Sequence, residues 1–130
     1  MISPSAAKKP TITVVIHAFN AEKFIAQTLD SVLMQKGYFD LEILIHDDAS
    51  KDNTQTIISK YHQKYPKQVF PILQTENQQS KGVNIFGKIL LPRVSGKYIA
   101  ICDGDDYWVD PNKLQKQMDF LENHLDYSIC

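Results

Sequence analysis

Carboxylates are the residues of this 130-residue chain whose spacing best suits chemistry. Asp103 and Asp105 stand two apart, with Gly104 between them and Asp106 behind, directly after the apolar run at residues 98–102. At the end of an extended strand, residues two apart project to one side, and a glycine between them lets a ligand approach the backbone. Left unneutralised, such a set repels itself. A divalent cation such as Mg²⁺ or Mn²⁺ takes one or two carboxylates, completes its shell with phosphate oxygens and so relieves the repulsion. The pattern therefore suits a metal-diphosphate site, and its competitor is a solvated acidic turn ahead of a helix. Asp47 and Asp48 form a second pair. A carboxylate in a pocket wall accepts from the ring N–H of uracil, thymine or guanine, where cytosine offers an acceptor instead. The same pair also suits an Asx turn or a helix cap. His17 and His46 each close an apolar run and are expected to be packed or hydrogen-bonded structural histidines rather than ligands or bases. Tyr107 and Trp108 suit stacking on a sugar or burial against the sheet.

These clusters need elements to hold them. Ile12, Val14, Val15 and Ile16 make residues 11–17 a β-branched run of the kind found in a central parallel strand covered on both faces. Asn20 is placed to cap a following helix with Ile25, Leu29, Val32 and Leu33 on one face, stopping near Gly37. Residues 41–46 form a second apolar strand, and Ile57, Ile58 and Tyr61 mark a second helix. Pro71 makes the third strand, residues 69–73, an edge. Val83, Phe86, Leu90 and Leu91 share one helical face until Pro92 ends or kinks it, Gly96 follows as a C-terminal stop, and residues 98–102 form a fourth strand. Asp110 caps a last helix with Pro111 in its first turn and Leu114, Met118 and Leu121 on its buried face. The alternation predicts an α/β fold, an open, mostly parallel, Rossmann-like sheet with helices on both faces. Ligands bind such sheets beyond the carboxyl ends of the strands, where residues 17–20, 47–50 and 103–106 converge.

Composition limits the classes of function. Hydrophobic residues at 43% and charged residues at 22% describe a globular domain with a core. Fourteen basic residues against fifteen acidic ones give a net charge of -1, which disfavours nucleic acid as a partner. No apolar stretch approaches a membrane span, and Lys8 and Lys9 are not followed by the apolar segment of a signal peptide. Cys102 and Cys130 lack metal or redox spacing, so free thiols and a cytoplasmic location are expected. Residues 1–10 are expected to be a flexible N-terminal segment, with residues 11–130 forming the domain.

Taken in order, three blocks resemble family 2 of the inverting GT-A glycosyltransferases. They are Thr13-Val14-Val15-Ile16-His17-Ala18-Phe19-Asn20, then Glu42-Ile43-Leu44-Ile45-His46-Asp47-Asp48-Ala49-Ser50, then Ile101-Cys102-Asp103-Gly104-Asp105-Asp106-Tyr107-Trp108. The third is similar to the family's DxD segment with the ending of a bacterial polysaccharide-enzyme subgroup. The resemblance implies a UDP-sugar or related donor, bound through Ala18, Phe19, Asn20, Glu22, Asp48, Asp103 and Gly104. It places Mg²⁺ or Mn²⁺ on Asp105 and Asp103, and base reading on Asp48. His17 departs from the family's frequent Pro or Thr, and Lys81 and Arg93 are alternatives for a cation beside the diphosphate. In the family the general base lies well beyond the DxD. The base is therefore expected outside this chain, the fold truncated, and the exposed apolar surface prone to self-association. The acceptor in the full enzyme would be a saccharide or a lipid-linked one. Two other readings compete: a non-catalytic sugar-nucleotide-binding module, and a Mg²⁺-binding receiver-type signalling domain. The second places its acidic pair after the first strand, unlike this chain.

Overall fold

The computed structural model describes residues 8–130, so residues 1–7 of the expected N-terminal segment lie outside the description. Four parallel strands, β1 (Thr11–Ala18), β2 (Asp40–Asp47), β3 (Val69–Leu73) and β4 (Tyr98–Asp103), form one sheet in the order β3-β2-β1-β4. β1 is central, as its run of β-branched residues requires, and β3 with its Pro71 is an edge. Pro10 is already tied in, its carbonyl accepting from the Asp40 amide at 2.9 Å.

Helices α1 (Ile25–Leu33), α2 (Thr54–Lys64) and α3 (Lys113–Asn123) supply the main core. Ile25, Leu29 and Val32 of α1 recur at helical spacing and are wholly buried against Ile12, Val14, Ile16 and Ala18 of β1. Leu114 and Met118 of α3 and Ile58 of α2 join the same cluster. Truncating a side chain as enclosed as Leu29 to alanine costs about 2–5 kcal/mol. The opposite face is thinner. There Val15 and Leu44 pack against Ile85 and Leu90, with the partly buried Ile72, Val83, Ile89 and Val94 around them, while Ile99 and Ile101 of β4 stay 41% and 64% exposed.

Three local expectations are corrected. The segment carrying Phe86 and Leu90 is no α-helix but a π-helical turn, Ile85–Leu90, followed by a 3-10 turn, Leu91–Arg93. Left-handed Gly82 and the Asn84 side chain, which accepts from the Gly87 amide, start it, and Pro92 tightens its end. Asn20 caps no helix, because α1 begins only at Ile25 and Asn20 itself is left-handed (φ 48°). Asp110 stands two residues too early to cap α3. Its carboxylate accepts from the Asn112 amide, and Asn112 occupies the cap position.

Candidate functional site

The register brings the three polar clusters together, with His17 opposite both His46 and Asp103, and Ala18 opposite Asp47. Beyond β1 and β2 the two loops are fastened to each other. The Asn20 amide donates to Ser50 Oγ (2.8 Å), the Lys51 amide to Asn20 Oδ1 (2.9 Å), and the Ala21 amide to Thr54 Oγ1 (2.9 Å). Glu22 and Asp52 complete the clasp, the Glu22 amide donating to Asp52 Oδ2 (3.2 Å) and the Asn53 amide to Glu22 Oε2 (3.1 Å). Burial opposes the charge of Asp52, but the Thr54 hydroxyl and amide and the Glu22 amide outweigh it and hold this carboxyl below the usual range.

The second acidic pair is consumed by the scaffold. Asp47 accepts from the Ser50 amide (2.9 Å), the Ser50 hydroxyl and the Gln55 side chain (2.7 Å), an Asx turn of the kind its position allows. Asp48 is fully buried, and its two oxygens accept the amides of Gln78 (2.6 Å) and Gln79 (3.0 Å). In this arrangement Asp48 stands behind the wall and sets the position of Gln79, so direct contact with a base requires the turn at residues 77–80 to part.

The acidic set after β4 differs. The strand ends at Asp103, and the Asp106 amide closes a turn on the Asp103 carbonyl (3.0 Å), so Asp105 lies on a turn and not on the extended strand expected for it. Asp103, Asp105 and Asp106 are exposed, and among the described residues none of their carboxylates has a hydrogen-bonding side chain or ion-pair partner. Gly104 is buried, and a Cβ on it would fall 2.8 Å from the His17 carbonyl oxygen and 2.9 Å from Ala18 Cβ, so only glycine lets this turn lie on β1. Thr28 holds the turn from below, its hydroxyl reaching the carbonyls of Gly104 (3.1 Å) and Asp106 (2.5 Å). Cys102 beneath is a buried free thiol whose pKa burial and the neighbouring Asp106 and Asp103 push up to about 11, which makes it inert.

Two adjoining clefts open here. The larger, about 900 Å³, is lined by Phe19, Ala49, Ser50, Lys51, Gln74 and Gln79, among others. The smaller, about 310 Å³, is lined by His17, Ala18, Phe19, Asn20, Asp103, Gly104 and Asp105, with Phe19 shared between them. Of the expected site residues, Ala18, Phe19, Asn20, Asp103, Gly104 and Asp105 thus meet in one place. Glu22 and Asp48 line neither cleft. Lys81 is paired with Glu76, and Arg93 donates to the Ile89 carbonyl, so neither alternative cation lines a cleft. Trp108 is half-buried on the core under the Lys113 ammonium (4.6 Å to the ring), whereas Tyr107 is exposed. Sequence reasoning missed Gln74 and Gln79, whose polar side chains carry no motif and matter only because the fold folds them back over β2. Among the described residues no group of three metal-ligating side chains exists. Two unpartnered carboxylates do fit a Mg²⁺- or Mn²⁺-type ion that keeps phosphate oxygens for the rest of its shell.

An open parallel sheet with a double cleft at its carboxyl edge defines an α/β protein of the Rossmann-like class, in which ligands are bound at that edge. The sequence profile described as Glycosyl transferase family 2 matches residues 13–130, and the chain belongs to that family. A protein of Mycobacterium tuberculosis is 40% identical over 92% of this chain and 34% of its own length. The Escherichia coli UDP-Glc:alpha-D-GlcNAc-diphosphoundecaprenol beta-1,3-glucosyltransferase WfaP is 35% identical over 85% of this chain and 41% of its own. The crystal structure of Staphylococcus aureus TarS 1-349 in complex with UDP superimposes with a TM-score of 0.72 at 26% identity, covering 88% of this chain and 33% of that one. The chain spans between a third and two fifths of the length of these relatives. Its fold is the GT-A, Rossmann-like one.

Proposed function

We propose that this chain is the donor-binding region of an inverting glycosyltransferase that uses a UDP-sugar. The single observation that carries the reading is the pair Asp103 and Asp105, exposed at the smaller cleft with no hydrogen-bonding side chain or ion-pair partner among the described residues. The UDP in the TarS complex and the UDP-sugar in the name of the E. coli relative support the choice of nucleotide. The nucleotide would span both clefts, with base and ribose in the larger and the diphosphate in the smaller, and Phe19 between them. Asn20 lines the diphosphate cleft, and Glu22 acts through the clasp that holds Asn20. Asp103 and Asp105 would hold Mg²⁺ or Mn²⁺, which supplies charge neutralisation for a departing nucleoside diphosphate. Gly104 lets those carboxylates sit close against β1. Asp48 governs base selection either directly or by setting Gln79 at the cleft wall. The acceptor, saccharide or lipid-linked, and the general base that activates its hydroxyl are assigned to sequence beyond these residues, so the chain binds donor without transferring it at an enzymatic rate. No helix among the described residues is long and apolar enough to cross a membrane. The two free cysteines fit a cytoplasmic setting, and self-association would use the exposed Ile99 and Ile101 face.

Calorimetry with UDP and Mn²⁺ tests the reading. Binding should depend on the metal and weaken at least tenfold in Asp105→Ala. A preference for UDP over CDP of roughly tenfold is expected from one unmade buried hydrogen bond. Equal binding in EDTA removes the metal from the account.

A further inference from the structure

His17 and His46 lie side by side at the ends of β1 and β2, their rings 5.2 Å apart and nearly parallel, with Nδ1 facing Nδ1 at 3.1 Å. His46 is wholly buried, and its other nitrogen, Nε2, faces the side-chain nitrogen of Gln74 at 3.2 Å. An amide nitrogen only donates, so His46 Nε2 accepts. A neutral imidazole carries one proton, which for His46 must then sit on Nδ1 and be donated to His17 Nδ1. Burial first, and His17 beside it second, hold the His46 pKa below its ordinary value and keep the ring neutral. His17, accepting at Nδ1, carries its own single proton on Nε2. That nitrogen has no protein partner among the described residues, and His17 lines the smaller cleft together with Asp103, Gly104 and Asp105. A three-residue chain thus runs beneath the cleft floor, from Gln74 in the larger cleft to His17 in the smaller.

We propose that His17 is a specificity residue of the donor cleft whose Nε2–H donates to an oxygen of the bound nucleotide, with His46 and Gln74 as positioning residues that fix its tautomer. The inference rests on the donor-binding reading for its ligand, but not for its tautomers. A structural histidine pair explains the packing; it does not explain why the chain of donors ends on an unpartnered N–H of a residue that lines the cleft with Asp103.

The test has two parts on the full chain. Long-range proton–nitrogen NMR spectra of ¹⁵N-histidine-labelled protein near neutral pH should show His46 protonated at Nδ1 and His17 at Nε2, and UDP with Mn²⁺ replaced by Mg²⁺ should shift the His17 Nε2–H signal. A His17 protonated at Nδ1 overturns the inference. In calorimetry with UDP, His17→Leu should lose about tenfold in affinity, and His17→Gln, which keeps a donor, should recover most of it. Unchanged affinity in His17→Leu also overturns the inference while leaving the donor-binding reading intact. Absence of UDP binding by the unmutated chain sinks that reading and the ligand role of His17 with it. The unliganded tautomers then still decide whether the relay exists.

Discussion

The acidic residues after β2 and those after β4 occupy equivalent places in the sheet and are treated in opposite ways. Asp47, Asp48 and Asp52 are enclosed by amides and hydroxyls, and every one of these carboxylates is spent on holding a loop. Asp103 and Asp105 face solvent, and among the described residues no donor reaches their carboxylate oxygens. A carboxylate that the fold has satisfied is scaffold, whereas one held in place but left open is available to a ligand. Residue type at a strand end does not separate the two. The number of amides within reach does.

The contrast breaks most readily by substitution at both ends. Asp47→Ala should lose roughly 3 kcal/mol of stability in urea unfolding, because three donors lose a charged acceptor in a buried turn. Asp105→Ala should change stability by less than about 0.5 kcal/mol while losing metal-dependent UDP binding. Similar losses of stability in both variants would erase the distinction.

A second test sharpens the claim that the open carboxylates are held in place. Gly104→Ala should cost about 1–3 kcal/mol, since its new methyl would meet the backbone of β1. It should also weaken UDP binding more than its effect on stability alone implies. Normal binding at lowered stability would show that turn position and ligand affinity are separable.

The smallest expected effect is one of pH. His46 has a folded pKa below its ordinary value, so the folded chain binds fewer protons than the unfolded chain in the window just under pH 6.5. Stability contributed by neutral His46 is full above that value and declines as pH falls through the window, by at most about 1.4 kcal/mol per unit. Chemical unfolding from pH 7.5 to 5 should show this slope, and His46→Gln should flatten it.

The sequence carried the strand order at its centre and one edge, since the β-branched run of β1 and Pro71 of β3 each have a single comfortable place in a parallel sheet. It also carried the convergence of the three clusters, because every crossover delivers its loop to the same sheet edge. It did not carry the fate of Asp48, because the amides of Gln78 and Gln79 that claim it lie thirty residues away. Nor did it carry the π-helical turn, whose apolar spacing satisfies an α-helix equally well over six residues. Asn20 misled because Asn suits both a helix cap and a left-handed turn, and only the Ser50 and Lys51 contacts decide between them.

The clasp between residues 20–22 and 50–54 has an implication for protein engineering and for lineage alike. Five hydrogen bonds join two loops that are thirty residues apart in sequence, and in each one a side chain from one loop meets a backbone amide of the other. A loop transplanted alone from a relative would remove the side-chain acceptors that the amides of the remaining loop use. Chimeras that exchange both segments together should express and fold, while single-loop chimeras fail. Over descent, the two stretches should drift as a pair, each change in one permitted by a change in the other.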